Sequence, residues 1–123
     1  MQINKVTDAL SVSPQITAAE VNAVRDAGLR AIICNRPDGE GPDQPTFDEI
    51  EAAARQAGLA ARYLPVTSGM VQDADADTFG QALMELPGPV LAYCRSGTRS
   101  ATLWSLSEAG RRPVPEILAA TRD

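Results

Sequence analysis

The sequence contains no histidine, and this absence excludes several classes of enzyme site. A Ser-His-Asp triad, a Cys-His pair and an HExxH zinc site each require an imidazole. Cysteine is also scarce, because Cys34 and Cys94 are too few for a disulfide framework or a four-sulfur metal site. Both lie inside apolar runs, as reduced intracellular thiols do. We therefore predict no metal and no organic cofactor.

Two further absences concern the surroundings of the protein. No apolar run approaches the roughly 20 residues that cross a bilayer, and residues 1–5 lack the apolar core of a signal peptide. No basic stretch offsets the net charge of −5, so binding along nucleic-acid phosphates is not expected. These features predict a cytoplasmic protein that contacts neither a membrane nor nucleic acid.

What is present indicates an ordinary globular domain. The chain has 123 residues, of which 44% are hydrophobic and 22% charged. A chain of this length buries about two-thirds of its unfolded surface, so it needs no disulfide or metal to fold. We interpret residues 1–123 as a single domain.

Signals for strands and helices alternate along the chain. Short apolar runs predict four strands, at about 9–13, 29–35, 59–66 and 90–93. Capping residues and glycine stops predict helices at about 17–27, 46–57, 73–86, 100–108 and 114–121. Asp73 or Asp75 is expected to cap the third of these helices. Such alternation predicts an α/β fold, with a mainly parallel central sheet and helices on both faces.

One loop combines the residues of a reactive site. It joins the strand at 90–93 directly to a helix and reads Cys94-Arg95-Ser96-Gly97-Thr98-Arg99-Ser100. Ligands of an open parallel sheet bind beyond the carboxyl ends of its strands. The backbone N–H groups of residues 95–98 are expected to form an anion-binding loop at the helix N-terminus.

Three side chains of this loop have predicted catalytic roles. Cys94 is the candidate nucleophile, because a helix N-terminus and neighbouring arginines favour the thiolate form. Arg99 offers a planar fork of donors to an oxyanion at the sulfur. Ser100 is placed to donate a hydrogen bond to the sulfur when the sulfur acts as a leaving group. Cys34, in contrast, is expected to be structural.

The sequence from Tyr93 to Ser100 resembles the active-site loop of rhodanese sulfurtransferases, often Cys-Arg-Ser-Gly-x-Arg-Ser. The segments 27–35, 63–66 and 114–118 instead resemble dual-specificity tyrosine phosphatases. When these segments are combined with residues 35–40 and 65–69, the chain is similar to the phosphatase-like domain of bacterial beta-lactamase-hydrolase-like proteins. The resemblance implies a dual-specificity tyrosine-phosphatase-like fold and a small anionic substrate. It also implies a fused or separate partner of the metallo-hydrolase type, linked to sulfide metabolism.

The chain departs from working tyrosine phosphatases in two ways. Their loop has five residues between cysteine and arginine, whereas residues 95–98 make four. Thr67 and Ser68 occupy the place of their aspartate general acid. Asp73 or Asp75 could move into the pocket at the Cys94 loop as a replacement acid, or could cap its helix. Arg36 could line the same pocket or lie in a solvated turn.

Three functions follow from these residues. The leading prediction is sulfur transfer, in which Cys94 takes a sulfane sulfur from a donor such as thiosulfate and forms a persulfide. The short loop and the lack of a general acid favour it, since a sulfite-type group leaves as an anion. The alternative is hydrolysis of phosphate monoesters through a phosphocysteine, which needs protonation of the leaving group. The third is a non-catalytic anion-binding module.

Overall fold

Five strands and four α-helices alternate along residues 2–108, which are the residues described by this computed structural model. The strands are β1 (Asn4–Lys5), β2 (Leu10–Ser13), β3 (Ala31–Cys34), β4 (Ala60–Tyr63) and β5 (Val90–Tyr93). The helices are α1 (Val21–Asp26, preceded by the 3₁₀ turn Ala18–Glu20), α2 (Phe47–Gln56), α3 (Asp73–Glu85) and α4 (Thr98–Glu108). The helix predicted at 114–121 lies outside the described residues.

The strands form one sheet in the order β1-β2-β5-β3-β4. Strands β2, β5, β3 and β4 run parallel to one another, and β1 pairs antiparallel with β2. β5 lies in the middle, with Cys34 of β3 in register with Tyr93. The residues that follow Tyr93 therefore emerge at the centre of the carboxyl edge of the sheet. The predicted α/β fold with a mainly parallel sheet is confirmed.

Helices cover both faces of this sheet. On one face, Ile33 of β3 belongs to an apolar cluster that contains Phe79 of α3 and Trp104 of α4. On the other face, Ile32 belongs to a cluster that contains Ile50 of α2 and residues of α1. Because successive side chains of a strand point to opposite faces, the apolar run of β3 contributes to both clusters.

The helix starts follow from local capping. The Thr46 side chain accepts a hydrogen bond from the Glu49 N–H at 3.3 Å, as the capping box at 46–49 predicts. At α3 the cap is Gln72, whose N–H donates to the Asp75 carboxylate at 3.0 Å. The N-cap is therefore Gln72 and not Asp73 or Asp75 as predicted, and Asp75 contributes from the third helical position as the other half of a capping box. None of the helices within residues 2–108 is long and apolar enough to cross a bilayer.

Candidate active site

The loop between β5 and α4 wraps around the Cys94 sulfur. Gly97 has φ +92°, a conformation that favours glycine, and its N–H donates to Cys94 Sγ at 3.1 Å. The loop is also tied to the end of β2, because the Cys94 N–H donates to the Ser13 carbonyl at 3.4 Å. Cys94 itself is 1% exposed. The turn therefore holds the sulfur at the amino end of α4.

A cavity of about 630 Å³ lies above this sulfur. One wall comes from the predicted loop and contains Cys94, Arg95, Ser96, Thr98 and Arg99, with Thr102 behind them on α4. The facing wall comes from the segment after β4 and contains Ser68, Gly69 and Val71. The fold thus brings the candidate nucleophile, the candidate oxyanion donor and most of the anion-binding loop to one cavity.

The Arg99 side chain is held from behind. Its Nη1 and Nη2 each donate to a different oxygen of the Glu40 carboxylate, both at 3.1 Å. Nη1 also donates to the Val66 carbonyl at 2.9 Å. The Arg99 Nε atom is buried and has no hydrogen-bond partner within residues 2–108. The guanidinium is therefore oriented by its two terminal nitrogens, and Nε remains as a donor.

Glu40 is a site residue that sequence reasoning missed. It comes from the long loop between β3 and α2, and it also accepts a hydrogen bond from Arg36 Nε at 3.0 Å. The hydrogen bonds from Arg99, and then those from Arg36, hold the pKa of the Glu40 carboxyl below its ordinary value. The carboxylate is therefore charged at neutral pH and bridges the two arginines. No sign of this role is visible in the sequence, because Glu40 lies in a loop of prolines and glycines that carries no recognisable motif.

Arg36 was expected either to line the pocket or to lie in a solvated turn, and the structure shows neither. Its side chain is 10% exposed and donates to Gln15 Oε1 at 3.2 Å as well as to Glu40. It is absent from the cavity wall described above. The ion pair with Glu40, four residues along the chain, keeps Arg36 behind the site, where it supports the carboxylate that orients Arg99.

Ser100 also has a different role from the one predicted. Its buried hydroxyl donates to Asn35 Oδ1 at 2.8 Å, and this bond takes the place of the expected one to sulfur. Asn35 Nδ2 in turn donates to the Leu64 carbonyl at 3.0 Å, and the Asn35 carbonyl accepts from Arg99 Nη1 at 3.4 Å. Ser100 therefore fixes the first turn of α4 against the ends of β3 and β4.

The remaining loop residues are divided between capping and the cavity wall. The Thr98 N–H donates to Ser96 Oγ at 3.4 Å, so Ser96 helps to cap α4. Ser68 lines the cavity, whereas Thr67 forms a turn in which its carbonyl accepts from the Met70 N–H at 3.0 Å. Asp73 is exposed at the start of α3 and does not line the cavity.

No carboxylate from residues 2–108 lines the cavity wall. A general acid at the position taken by Thr67 and Ser68 is accordingly missing, as the sequence indicated. The second cysteine offers no replacement, because burial raises the pKa of the Cys34 thiol. Its Sγ donates to the Arg36 carbonyl at 3.3 Å, so Cys34 is a buried, neutral thiol. No group of potential metal ligands that could hold an ion occurs in the described part of the chain.

Comparisons with known proteins agree with this geometry. The family model "Beta-lactamase hydrolase-like protein, phosphatase-like domain" matches residues 2–111. A beta-lactamase hydrolase-like protein of Xylella fastidiosa is 40% identical over 121 residues, which are 97% of this chain and 28% of that protein. This chain therefore spans less than a third of the length of that curated relative.

Solved structures show the same fold. A candidate phosphatase from Neisseria meningitidis is 40% identical, with a TM-score of 0.91, and the match covers 99% of this chain and 87% of that one. P. aeruginosa TpbA, solved with bound pTyr as a cysteine-to-serine form, is 17% identical with a TM-score of 0.69. That match covers 95% of this chain and 69% of that one, and it shows the fold alone.

The tyrosine-phosphatase-like fold and the family that the motifs indicated are thereby confirmed. The fold, the Cys94 loop and the match over residues 2–111 agree in the same assignment. This chain belongs to the family of the phosphatase-like domain of beta-lactamase hydrolase-like proteins.

Proposed function

We propose that this domain hydrolyses phosphate monoesters through a phosphocysteine on Cys94. The observation that carries the proposal is that Cys94 and Arg99 line one cavity, with the Cys94 sulfur held by the Gly97 N–H and the Arg99 Nε donor without a partner in residues 2–108. The phosphatase-like family and the candidate phosphatase from Neisseria meningitidis support this alternative better than sulfur transfer, our leading prediction from sequence. No protein compared above is described as a sulfurtransferase.

The chemistry divides into two displacements at phosphorus. In the first, the Cys94 thiolate forms a bond to phosphorus while the ester P–O bond breaks, and the leaving oxygen keeps the electron pair. Arg99 Nε and the loop N–H groups donate to the non-bridging oxygens, where negative charge is concentrated. In the second, water attacks phosphorus, the P–S bond breaks and the thiolate returns. Inorganic phosphate is released, and the proton lost by this water balances the one taken up by the leaving group.

The missing general acid determines which esters should react. An alkoxide leaving group must take its proton from water at this cavity, because no general acid among the described residues supplies one. The alkyl ester therefore loses the factor of about 10² to 10⁴ in rate that general acid catalysis typically contributes. A phenolate with a low pKa leaves without that help. We therefore infer that aryl phosphates are the better substrates of this domain, by at least about a hundredfold in kcat/KM over alkyl phosphates.

The test compares 4-nitrophenyl phosphate with 2-phenylethyl phosphate on the wild type, Cys94→Ser and Cys34→Ser. Phosphate release should favour the aryl ester, disappear in Cys94→Ser and persist in Cys34→Ser, which makes the same atomic change at a cysteine away from the cavity. Circular dichroism melts establish that each variant is folded. Equal activity in folded Cys94→Ser, or no hydrolysis of either ester by the wild type, would overturn the proposal.

Sulfur transfer is the second candidate, because four residues rather than five separate Cys94 from Arg99. A shorter loop presents fewer N–H groups to a phosphoryl group and still accommodates a sulfur atom. The intact mass of reduced protein after incubation with thiosulfate decides this point. An added sulfur atom on the wild type, absent from Cys94→Ser, together with no phosphate release, would favour sulfur transfer. The predicted metallo-hydrolase partner and cytoplasmic location remain predictions.

A further inference from the structure

Arg95 has a different setting from the other arginine of the loop. It is exposed, it lines the cavity beside Cys94, and its carbonyl accepts a hydrogen bond from the Gln15 N–H at 3.4 Å. Within residues 2–108 no carboxylate lies within ion-pair distance of its guanidinium. The backbone of Arg95 is thus anchored at the cavity wall, while its guanidinium has no ion-pair partner among the described residues.

Among the described residues, Arg95 is the cation of the cavity wall that no carboxylate neutralises. Glu40 pairs with Arg99 and also binds Arg36 behind it. No Asp or Glu of the described residues lines the cavity, although the whole chain carries a net charge of −5. A positive group placed in this way, on an otherwise acidic protein, attracts an anion to the mouth of the site.

The size of the cavity indicates that this anionic group is part of the substrate's leaving group. A volume of about 630 Å³ is in the range of pockets that enclose whole small molecules, roughly 300–1,000 Å³. The leaving group therefore has space beside the phosphoryl group. The facing wall offers it Ser68, Gly69 and Val71, none of which is charged. Arg95 is the described wall residue that can recognise charge on the leaving group.

We propose that Arg95 selects substrates whose leaving group carries a second anionic group, such as a carboxylate or another phosphate. This inference rests on the proposed function, since it assigns a substrate class to the same site. The domain would then act on small, doubly anionic aryl phosphates. A neutral aryl phosphate of equal reactivity would bind without this contact.

The test uses the phosphate esters of 4-hydroxyphenylacetic acid and of its primary amide. Their phenols differ little in acidity because a methylene separates the ring from the carboxyl group, so a difference in kcat/KM reports recognition. The wild type should have a kcat/KM about fivefold higher for the acid than for the amide, which is the effect expected of one solvent-accessible charge pair. That preference should fall as salt rises. In Arg95→Gln the ratio should fall to about one, and Arg95→Lys should restore part of it.

Arg30→Gln is the matched control, because it removes the same charge from an exposed arginine at the opposite, amino end of β3. It should keep the wild-type ratio. A wild-type ratio of one, or an unchanged ratio in Arg95→Gln, would refute the role of Arg95 while phosphatase activity stands. Absence of Cys94-dependent release from both esters would instead refute the proposed function.

Discussion

Glu40 binds two arginines with one carboxylate, and its partners lie on different elements. Arg99 belongs to α4, whereas Arg36 follows β3. The Glu40 side chain is 25% exposed, so the pair with Arg99 is partly shielded from solvent. Removing a carboxylate from such a pair leaves a buried guanidinium without its counter-charge, which is costly.

We predict that Glu40→Gln lowers the free energy of unfolding by about 2 kcal/mol at pH 7 and reduces kcat/KM about tenfold. Arg99 should lose its fixed orientation while keeping its charge. Urea titrations and phosphatase assays measure the two effects. Glu51→Gln is the control, since Glu51 pairs with the exposed Arg55 at 3.7 Å. This substitution should change the free energy of unfolding by less than about 0.5 kcal/mol. Equal effects of the two substitutions would contradict this prediction.

The same pair predicts a dependence of stability on pH. The folded state lowers the pKa of Glu40 from the ordinary 4.5, so the ionised form is favoured when the protein is folded. This stabilisation is complete above pH 4.5 and is lost as pH falls through the lowered value. The deficit of Glu40→Gln should therefore shrink when urea titrations are repeated at progressively lower pH. A deficit that stays constant down to pH 3 would show that the charge of Glu40 does not cause it.

At the scale of elements, the loop between β3 and α2 is fixed at its far end by the start of α2. The Thr46 side chain caps this helix, and the Phe47 N–H donates to the Asp38 carboxylate at 2.8 Å. The loop that carries Glu40 is therefore closed by contacts at the helix N-terminus.

We expect Thr46→Ala to lower the free energy of unfolding by about 1 kcal/mol, which corresponds to a fall in Tm of roughly 4 °C. Thr78→Ala makes the same chemical change inside α3, where alanine is the better helix former, and should be neutral or stabilising. Thermal melts followed by circular dichroism compare the two. A Thr46→Ala protein as stable as Thr78→Ala would mean that the cap contributes nothing.

Elements with strong local signals could be predicted from the sequence. Capping boxes identified the first two helices, and the apolar runs identified β3 and β5. β4 proved shorter than predicted: it ends at Tyr63, although the N–H groups of Leu64 and Val66 still donate to the Cys34 and Asn35 carbonyls beside it. β1 was missed, since two polar residues carry no periodic pattern; they form a strand by pairing antiparallel with the outer side of β2.

At the scale of the whole molecule, the site depends on contacts between residues far apart in sequence. Glu40 and Arg99 are 59 residues apart, and Asn35 and Ser100 are 65 apart. The nucleophile and the loop could be predicted because they are contiguous and follow a buried strand. The groups that orient them could not, because local composition does not determine which loops meet at the sheet edge.

An anion that binds the folded site should stabilise the whole domain. Phosphate at 100 times its dissociation constant should add about 2.7 kcal/mol, which raises Tm by roughly 11 °C. Cys94→Ser should keep this shift, because the N–H groups and Arg99 remain, whereas Arg99→Lys should lose most of it with the fork of donors. Differential scanning fluorimetry in phosphate and in matched sodium chloride measures the shifts. Loss of the shift in Cys94→Ser alone would show that the sulfur, and not the loop, holds the anion.

Asn35 connects three parts of the site through one side chain and its own carbonyl. Its amide accepts from Ser100 on α4 and donates to Leu64 after β4, and its carbonyl accepts from Arg99. An aspartate has the same shape but cannot donate to Leu64. The segments around the cavity are therefore not interchangeable modules. A designer who transplanted the Cys94 loop to another scaffold would have to carry this asparagine, and the strand end behind it, along with the loop.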